Sequence, residues 1–285
     1  MRNLFKTKAG LVLEYTVLGH GEPVLVMHGG HSNCYEEFGY DELLARNYSI
    51  ITPSRPGYGL SAKAIGHTLE TACEAYIELL DYLRIQKIHV VAISAGGPSG
   101  IVLASRFPER VRSLVLQSAV THTWLTPKDS LYQTARFMFR PTVEKYLWSL
   151  MRLLHNWIPS AMFKHTIVSF SKRPKKEILP QFSAEDRELY RRMLNRQRSG
   201  HGFLLDLEQT GNDWTAAIST IQCPVLILHS KYDGLVPLEH ARYAERHIAK
   251  SRLYELESWG HLIWLGEGAP DMYREWFAFL DQQRA

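Results

Sequence analysis

The sequence predicts an α/β fold: a mostly parallel, doubly wound sheet interrupted by a helical insertion. Three features carry this expectation. From residue 1 to about 120, short unbroken apolar runs alternate with amphipathic helical stretches, and strands apolar on both sides belong to parallel sheets covered by helices on both faces. The alternation resumes at about residue 220. Between these stretches, residues 121–215 have a different texture, aromatic-rich and basic, with no clear β-branched run. The expected organisation is therefore a core formed by residues 1–120 and 216–285. Residues 121–215 are read as a helical insertion at the edge of the sheet, without a core of their own.

Taken in order, 11–18, 24–27 and 48–53 read as strands. Over 69–83, Ala72, Ala75, Tyr76, Leu79, Leu80 and Leu83 recur at helical spacing, which makes an amphipathic helix. The apolar run 87–93 reads as a strand, and a helix over 96–107 follows, stopped before Pro108. A strand over 111–116 closes the first part. After the insertion come a strand (225–228), a helix (238–248), a strand (252–256) and a helix (271–281). Inside the insertion, 132–139, 143–154 and 184–197 read as helices. No internal repeat or low-complexity tract is present.

Composition limits the function classes. A 285-residue chain with 45% hydrophobic and 22% charged residues is ordinary for a globular protein able to bury a large core. Cys34, Cys73 and Cys223 are far apart and odd in number, with neither metal spacing nor a disulfide framework, so a reducing, cytoplasmic compartment is expected. Glu14 interrupts the apolar run behind Arg2, Lys6 and Lys8, which leaves no signal-peptide core. No run of about 18 apolar residues exists, so no membrane span is expected. The net charge of +4 is uneven, since residues 140–200 hold 13 Lys/Arg against five Asp/Glu. A solvated helical surface accounts for this excess; an anionic substrate or an anionic surface are the sharper readings. The cations are spread along helices without a recognition motif, so no nucleic-acid partner is expected.

The chemistry centres on Ala92-Ile93-Ser94-Ala95-Gly96. Ser94 ends a strand and precedes a helix, so its side chain projects from the C-terminal edge of the sheet, where α/β proteins bind ligands. So tight a turn pushes the serine towards positive φ, at a cost of about 1–3 kcal/mol for a non-glycine residue. Small residues two before and two after are then required, on the expectation that their Cβ atoms nearly meet. The following helix start offers unpaired N–H groups to developing negative charge.

This stretch resembles the nucleophile elbow of the α/β-hydrolase family, in its serine-nucleophile, esterase-like branch with a helical cap. Ala92 stands where the common pattern has glycine. Two further segments add to the resemblance. His28-Gly29-Gly30-His31 follows an early strand, as does the family segment that supplies an oxyanion-hole N–H. Carried over by position, the donors are Gly30 and Ala95, with Gly29 and His31 as neighbouring registers for the first; His28 itself is read as structural. Residues 53–61, PSRPGYGLS, resemble the family's structural Gly-x-Gly-x-Ser loop, with Ser54 at the place of an Asp that often opens it.

The family order of serine, acid and histidine implies Asp233, after the strand in PVLILHSKYDGLVP, and His261, after the last strand in YELESWGHLIW. Rival acids Asp206, Glu208 and Asp213 lie at the end of the insertion, and LQSAVTH, the alternative acid position, contains no carboxylate. The resemblance thus implies a hydrolase in which Ser94, His261 and Asp233 cleave a carboxylic ester or related acyl compound, needing no metal or organic cofactor. The insertion would be the cap that selects a small-molecule substrate with a hydrophobic part, through some of Tyr132, Phe137, Phe139, Tyr146, Trp148, Trp157, Phe163 and Phe170. Two alternatives share the framework: a carbon–carbon hydrolase of a diketo-acid-like substrate, and a small-molecule receptor or signalling protein. Oligomeric state is not readable from the sequence.

Overall fold

The computed structural model describes residues 2–37 and 39–284. Its strands are β1 (Asn3–Lys6), β2 (Val12–Leu18), β3 (Glu22–Met27), β4 (Tyr48–Pro53), β5 (Ile88–Ile93), β6 (Val111–Gln117), β7 (Val225–Ser230) and β8 (Ser251–Leu256). They form one eight-stranded sheet in the order β1-β2-β4-β3-β5-β6-β7-β8. β2 runs antiparallel to β1 and β4, and the six strands from β4 to β8 are parallel. The short edge strand β1 was not expected: four residues, half-buried and exposed by turns, give too brief a period to read.

Every residue of β5 and β7 is buried. Successive side chains of a strand point to opposite faces, so each buried strand feeds two cores. Val90 and Ala92 pack with α2 (Leu69–Tyr82), α3 (Gly97–Arg106), α10 (Thr215–Ser219) and α11 (Leu238–His247) on one face. Val91 and Ile93 pack with α1 (Tyr40–Ala45) and α12 (Ala269–Gln282) on the other. Helix α2 begins where its sequence says it should, at a Thr68–Thr71 capping box.

Between β6 and β7 the chain forms α4 (Ser130–Met138), α5 (Pro141–Trp157), α6 (Pro159–Thr166), α7 (Lys175–Ile178), α8 (Ala184–Arg196) and α9 (Gly202–Gln209). Phe163, Ile167, Ile178, Phe182, Tyr190 and Met193 from this segment join the same apolar cluster as Val24, Ile93, Trp259 and Trp276. Helices α6, α7 and α9 were not anticipated. A single residue, Ile158, separates α5 from α6, whose start is set by Pro159. Helix α9 is eight residues long, opens on glycine and lacks a side-chain cap.

The sheet order places the site. The chain leaves the C-terminal end of β3 towards β4 on one side, and that of β5 towards β6 on the other. Such a reversal opens a crevice beyond the strand ends. The loops that follow β3 and β5 meet there.

Candidate active site

Ser94 sits at the end of β5 with φ +50°, at the head of a 3₁₀ turn, Ser94–Gly96, that leads into α3. Its carbonyl accepts Val120 N–H at 3.0 Å, which ties the corner to the segment after β6. The reason for the small flanking residues differs from the expected one. A Cβ on Gly96 would lie 2.3 Å from the Met27 carbonyl oxygen, so the backbone of β3 demands glycine there. Ala92 faces α3 instead: a Cβ on Gly100 would lie 2.5 Å from the Ala92 methyl. Residues 92 and 96 are thus small for two separate neighbours, and the helix glycine makes room for alanine at the first position.

His261 follows β8, and its backbone is held from two sides. Its N–H donates to Phe170 O at 2.9 Å, and its carbonyl accepts from Ser118 Oγ at 2.8 Å. Its side chain lies between the other two candidates: Nδ1 is 2.7 Å from Asp233 Oδ2, and Nε2 is 3.1 Å from Ser94 Oγ. A carboxylate only accepts, so Nδ1 carries the proton and Nε2 is free to accept the serine hydroxyl's. His261 and Asp233 are buried, 4% and 1% exposed, while Ser94 is half-buried and reachable.

Asp233 has a full set of donors. Leu235 and Val236 N–H reach Oδ1 at 2.8 and 2.9 Å, and His229 Nε2, which hydrogen-bonds Val236 O at 3.0 Å, stands 3.3 Å from Oδ2. Burial pushes this carboxyl upward, but the imidazoles of His261 and His229 outweigh it, and the group ends well below the usual carboxylate range. It is therefore charged at neutral pH. His229, on β7, was not singled out from the sequence; its signal is a histidine four residues before the acid at a strand end.

The sequence reading also missed the strap formed by Phe170 and Ser171. Phe170 O accepts both Gly234 N–H (3.1 Å) and His261 N–H (2.9 Å), and Ser171 bridges to Asp233. A Cβ on Gly234 would meet Ser171 N at 2.7 Å, and one on Gly260 would meet Phe170 O at 2.4 Å. The Asp-Gly and Gly-His pairs carry glycine because one strand-like piece of the helical segment passes against both. The Phe170 ring lies 6.3 Å from that of His261, centroid to centroid.

The loop after β3 runs beside the serine. A Cβ on Gly29 would sit 3.3 Å from Ser94 Cβ, and one on Gly30 would sit 3.4 Å from Ala95 Cβ. Of the three candidate donors in this loop, His31 N–H is already given to Tyr58 Oη at 3.3 Å. The buried His28 ring donates Nδ1–H to Gly29 O (2.8 Å) and accepts Arg55 N–H at Nε2 (2.9 Å); burial, then the Arg55 charge, holds it neutral by lowering its pKa well below the usual value. Ser54 donates to the fully buried carboxylate of Glu14 at 2.9 Å, so β2 supplies the acid that the loop lacks.

Two of the three rival acids are committed elsewhere, and the third, Glu208, is exposed. Asp206 pairs with Arg55 and accepts Tyr58 Oη–H at 2.5 Å, and Asp213 caps Thr215. Several of the basic residues of 140–200 are also neutralised: Arg173 by Glu177, Arg191 by Glu188, Arg192 and Arg196 by Glu37, and Arg198 by Glu144. Of the aromatic residues, Tyr132 and Phe163 are buried, whereas Phe137, Tyr146 and Trp157 are exposed. Phe139 stacks on Phe203 and adjoins Trp148, and His31 packs against Phe139 and Trp148, so these rings cover the loop beside the serine. A cleft of about 680 Å³ lined by Asp81, Lys87 and Arg110 lies at the other, N-terminal edge of β5 and β6, remote from this chemistry. Among the described residues, no group of three or more His, Cys, Asp or Glu side chains could hold a metal ion, and no helix is long and apolar enough to cross a membrane.

A hydroxyl, an imidazole and a carboxylate in sequential contact, at the C-terminal edge of a parallel sheet with N–H groups alongside, define an arrangement suited to acyl transfer. The chain belongs to the alpha/beta hydrolase fold family, whose family model matches residues 22–267. It is 54% identical over 272 residues to the uncharacterized hydrolase YcgS of Bacillus subtilis (strain 168), spanning 95% of this chain and 96% of that protein. It is 23% identical over 259 residues to a 2-hydroxy-6-oxo-6-phenylhexa-2,4-dienoate hydrolase of Burkholderia cepacia, spanning 85% of this chain and 82% of that one. Among solved structures, an alpha/beta hydrolase fold protein from Nakamurella multipartita superposes with a TM-score of 0.81 at 25% identity, covering 96% of this chain and 97% of that one.

Proposed function

We propose that this protein is a serine hydrolase that cleaves a carboxylic ester, or a related acyl compound with a hydrophobic part, through an acyl-enzyme on Ser94. The observation that carries the reading is the unbroken chain from Ser94 Oγ to His261 Nε2 (3.1 Å) and from His261 Nδ1 to Asp233 (2.7 Å). His261 takes the hydroxyl proton as Oγ attacks the carbonyl carbon. Asp233 fixes the imidazole tautomer and stabilises the imidazolium. The oxyanion is received by the N–H groups of Gly30 and Ala95, each worth about 100- to 1000-fold in rate. His261 then protonates the leaving alkoxide, and water, activated by the same imidazole, releases the acid. In this reading residues 121–215 act as the cap over the core of 1–120 and 216–285, and Phe139, Trp148 and Phe203 form the apolar wall against the acyl group.

The name of the Burkholderia cepacia relative favours a second reading, hydrolysis of a carbon–carbon bond in a diketo-acid-like substrate. Such a substrate carries a carboxylate that needs a cation. Two guanidinium groups on this side of the molecule are already held, Arg55 by Asp206 and Arg198 by Glu144, which supports the neutral ester. A panel of p-nitrophenyl esters of two to twelve carbons run beside a vinylogous diketo acid decides between them. The ester reading expects turnover across the panel with a preference above acetate. Turnover of the diketo acid alone would replace it with the second reading.

A further inference from the structure

We infer that Arg55, anchored by Asp206, is a positioning residue that sets the oxyanion hole by holding two carbonyl oxygens of the loop after β3. The inference rests on the serine acyl-transfer reading and adds a residue outside both the turn that carries Ser94 and the three-residue chain. Arg55 is 2% exposed. Its Nε donates to His28 O at 2.7 Å and its Nη2 to Gly29 O at 3.1 Å. The rest of the guanidinium is taken by Asp206 on α9, with Nη1 to Oδ1 at 2.5 Å and Nη2 to Oδ2 at 2.7 Å.

The consequence follows from the planarity of the peptide. In a trans peptide the C=O of one residue and the N–H of the next point in opposite directions. Pinning Gly29 O on the Arg55 side therefore aims Gly30 N–H away from Arg55, and pinning His28 O does the same for Gly29 N–H. Gly29 O is fixed a second time by His28 Nδ1–H at 2.8 Å. The two N–H groups are turned away from Arg55 along the stretch of loop that lies against Ser94 and Ala95. Successive N–H groups turned to one side make an anion-binding concavity. Glycine at both positions leaves this backbone without side-chain restraint of its own, so the restraint comes from Arg55 on both carbonyls and from His28 on one.

The bidentate fork explains why arginine is used. A lysine ammonium could reach one carbonyl or the carboxylate but could not hold both carbonyls and Asp206 in one plane. Tyr58 completes the set, donating to Asp206 Oδ2 at 2.5 Å. Because Asp206 lies on α9, at the end of the helical segment, the loop's geometry is tied to the docking of that segment on the core.

The test uses wild type, Arg55→Met, Arg55→Lys, Asp206→Asn and Ser94→Ala, with rates expressed per site titrated by a fluorophosphonate. Affinity for an alkylboronic acid, whose tetrahedral adduct on the serine places an oxygen at the oxyanion position, is measured alongside. We expect Arg55→Met to lower kcat by about 10- to 100-fold, a part of what a whole donor contributes, with KM changed less than threefold. Boronate affinity should fall in parallel, Arg55→Lys and Asp206→Asn should fall between, and the pH profile of kcat should keep its shape. A purely structural role would lower the titrated fraction and the melting temperature while leaving per-site kcat and boronate affinity at wild-type values, and that result overturns the inference. Wild type that takes up neither probe on residue 94, together with an active Ser94→Ala, would instead remove the serine reading itself and the inference with it.

Discussion

Asp233 has its role decided by what surrounds one carboxylate. Three donors converge on it, two backbone N–H groups on one oxygen and the His261 imidazole at the other, with the His229 ring alongside, and it stays charged although it is 1% exposed. In the proposed mechanism that charge holds the proton of His261 on Nδ1. Replacing Asp233 by Asn keeps the shape but offers an N–H in place of an acceptor, so the imidazole adopts the other tautomer and loses its capacity to accept from Ser94. We expect Asp233→Asn to reduce kcat by about 10³- to 10⁴-fold with little change in KM. Steady-state kinetics on the preferred ester checks this, and a loss below tenfold would contradict the assigned role. His229 is hard to single out in the sequence: among 13 histidines, its one local mark is its place at a strand end four residues before the acid.

At the level of elements, the corner between β5 and α3 shows how a departure from a motif is absorbed. The methyl of Ala92 occupies the space that Gly100 leaves open, so residue 92 and residue 100 form one packing unit. Gly100→Ala alone forces two Cβ atoms to within 2.5 Å and should destabilise the protein by about 1–3 kcal/mol. Ala92→Gly added to it should restore most of that loss, a coupling that exceeds the tolerance for independent sites. Denaturant midpoints of the two single variants and the double variant measure it; additive effects would show that the two positions are not coupled. The strap at Phe170 and Ser171 works between elements in the same way, binding the loops after β7 and β8 with one carbonyl. The sequence marks its path only by two glycines beside Asp233 and His261, a signal interpretable once the third segment is known.

For the whole molecule, the fold was legible because its central strands are buried on both faces and its longer helices carry a 3.6-residue period. The eight-stranded sheet departs from the reading only at β1, too short to show a pattern. Ser94, Asp233 and His261 could be proposed from the resemblance, whose order of serine, acid and histidine falls on three positions that each follow a strand, and parallel strands deliver their ends to one edge. The supports of the site were less legible. Arg55 and Asp206 are 151 positions apart and meet through the docking of α9, which no local pattern encodes. Helices α1, α6, α7, α9 and α10 were missed for a related reason: short helices stabilised by packing carry weak periodicity of their own. The central claim remains the nucleophile. Intact-mass and peptide mass spectrometry of the protein quenched during turnover of an activated ester tests it most directly. The account predicts one acyl group per chain, mapped to Ser94, and neither adduct nor turnover in a folded Ser94→Ala variant. An adduct on another residue, or turnover by Ser94→Ala at the wild-type rate, would contradict it.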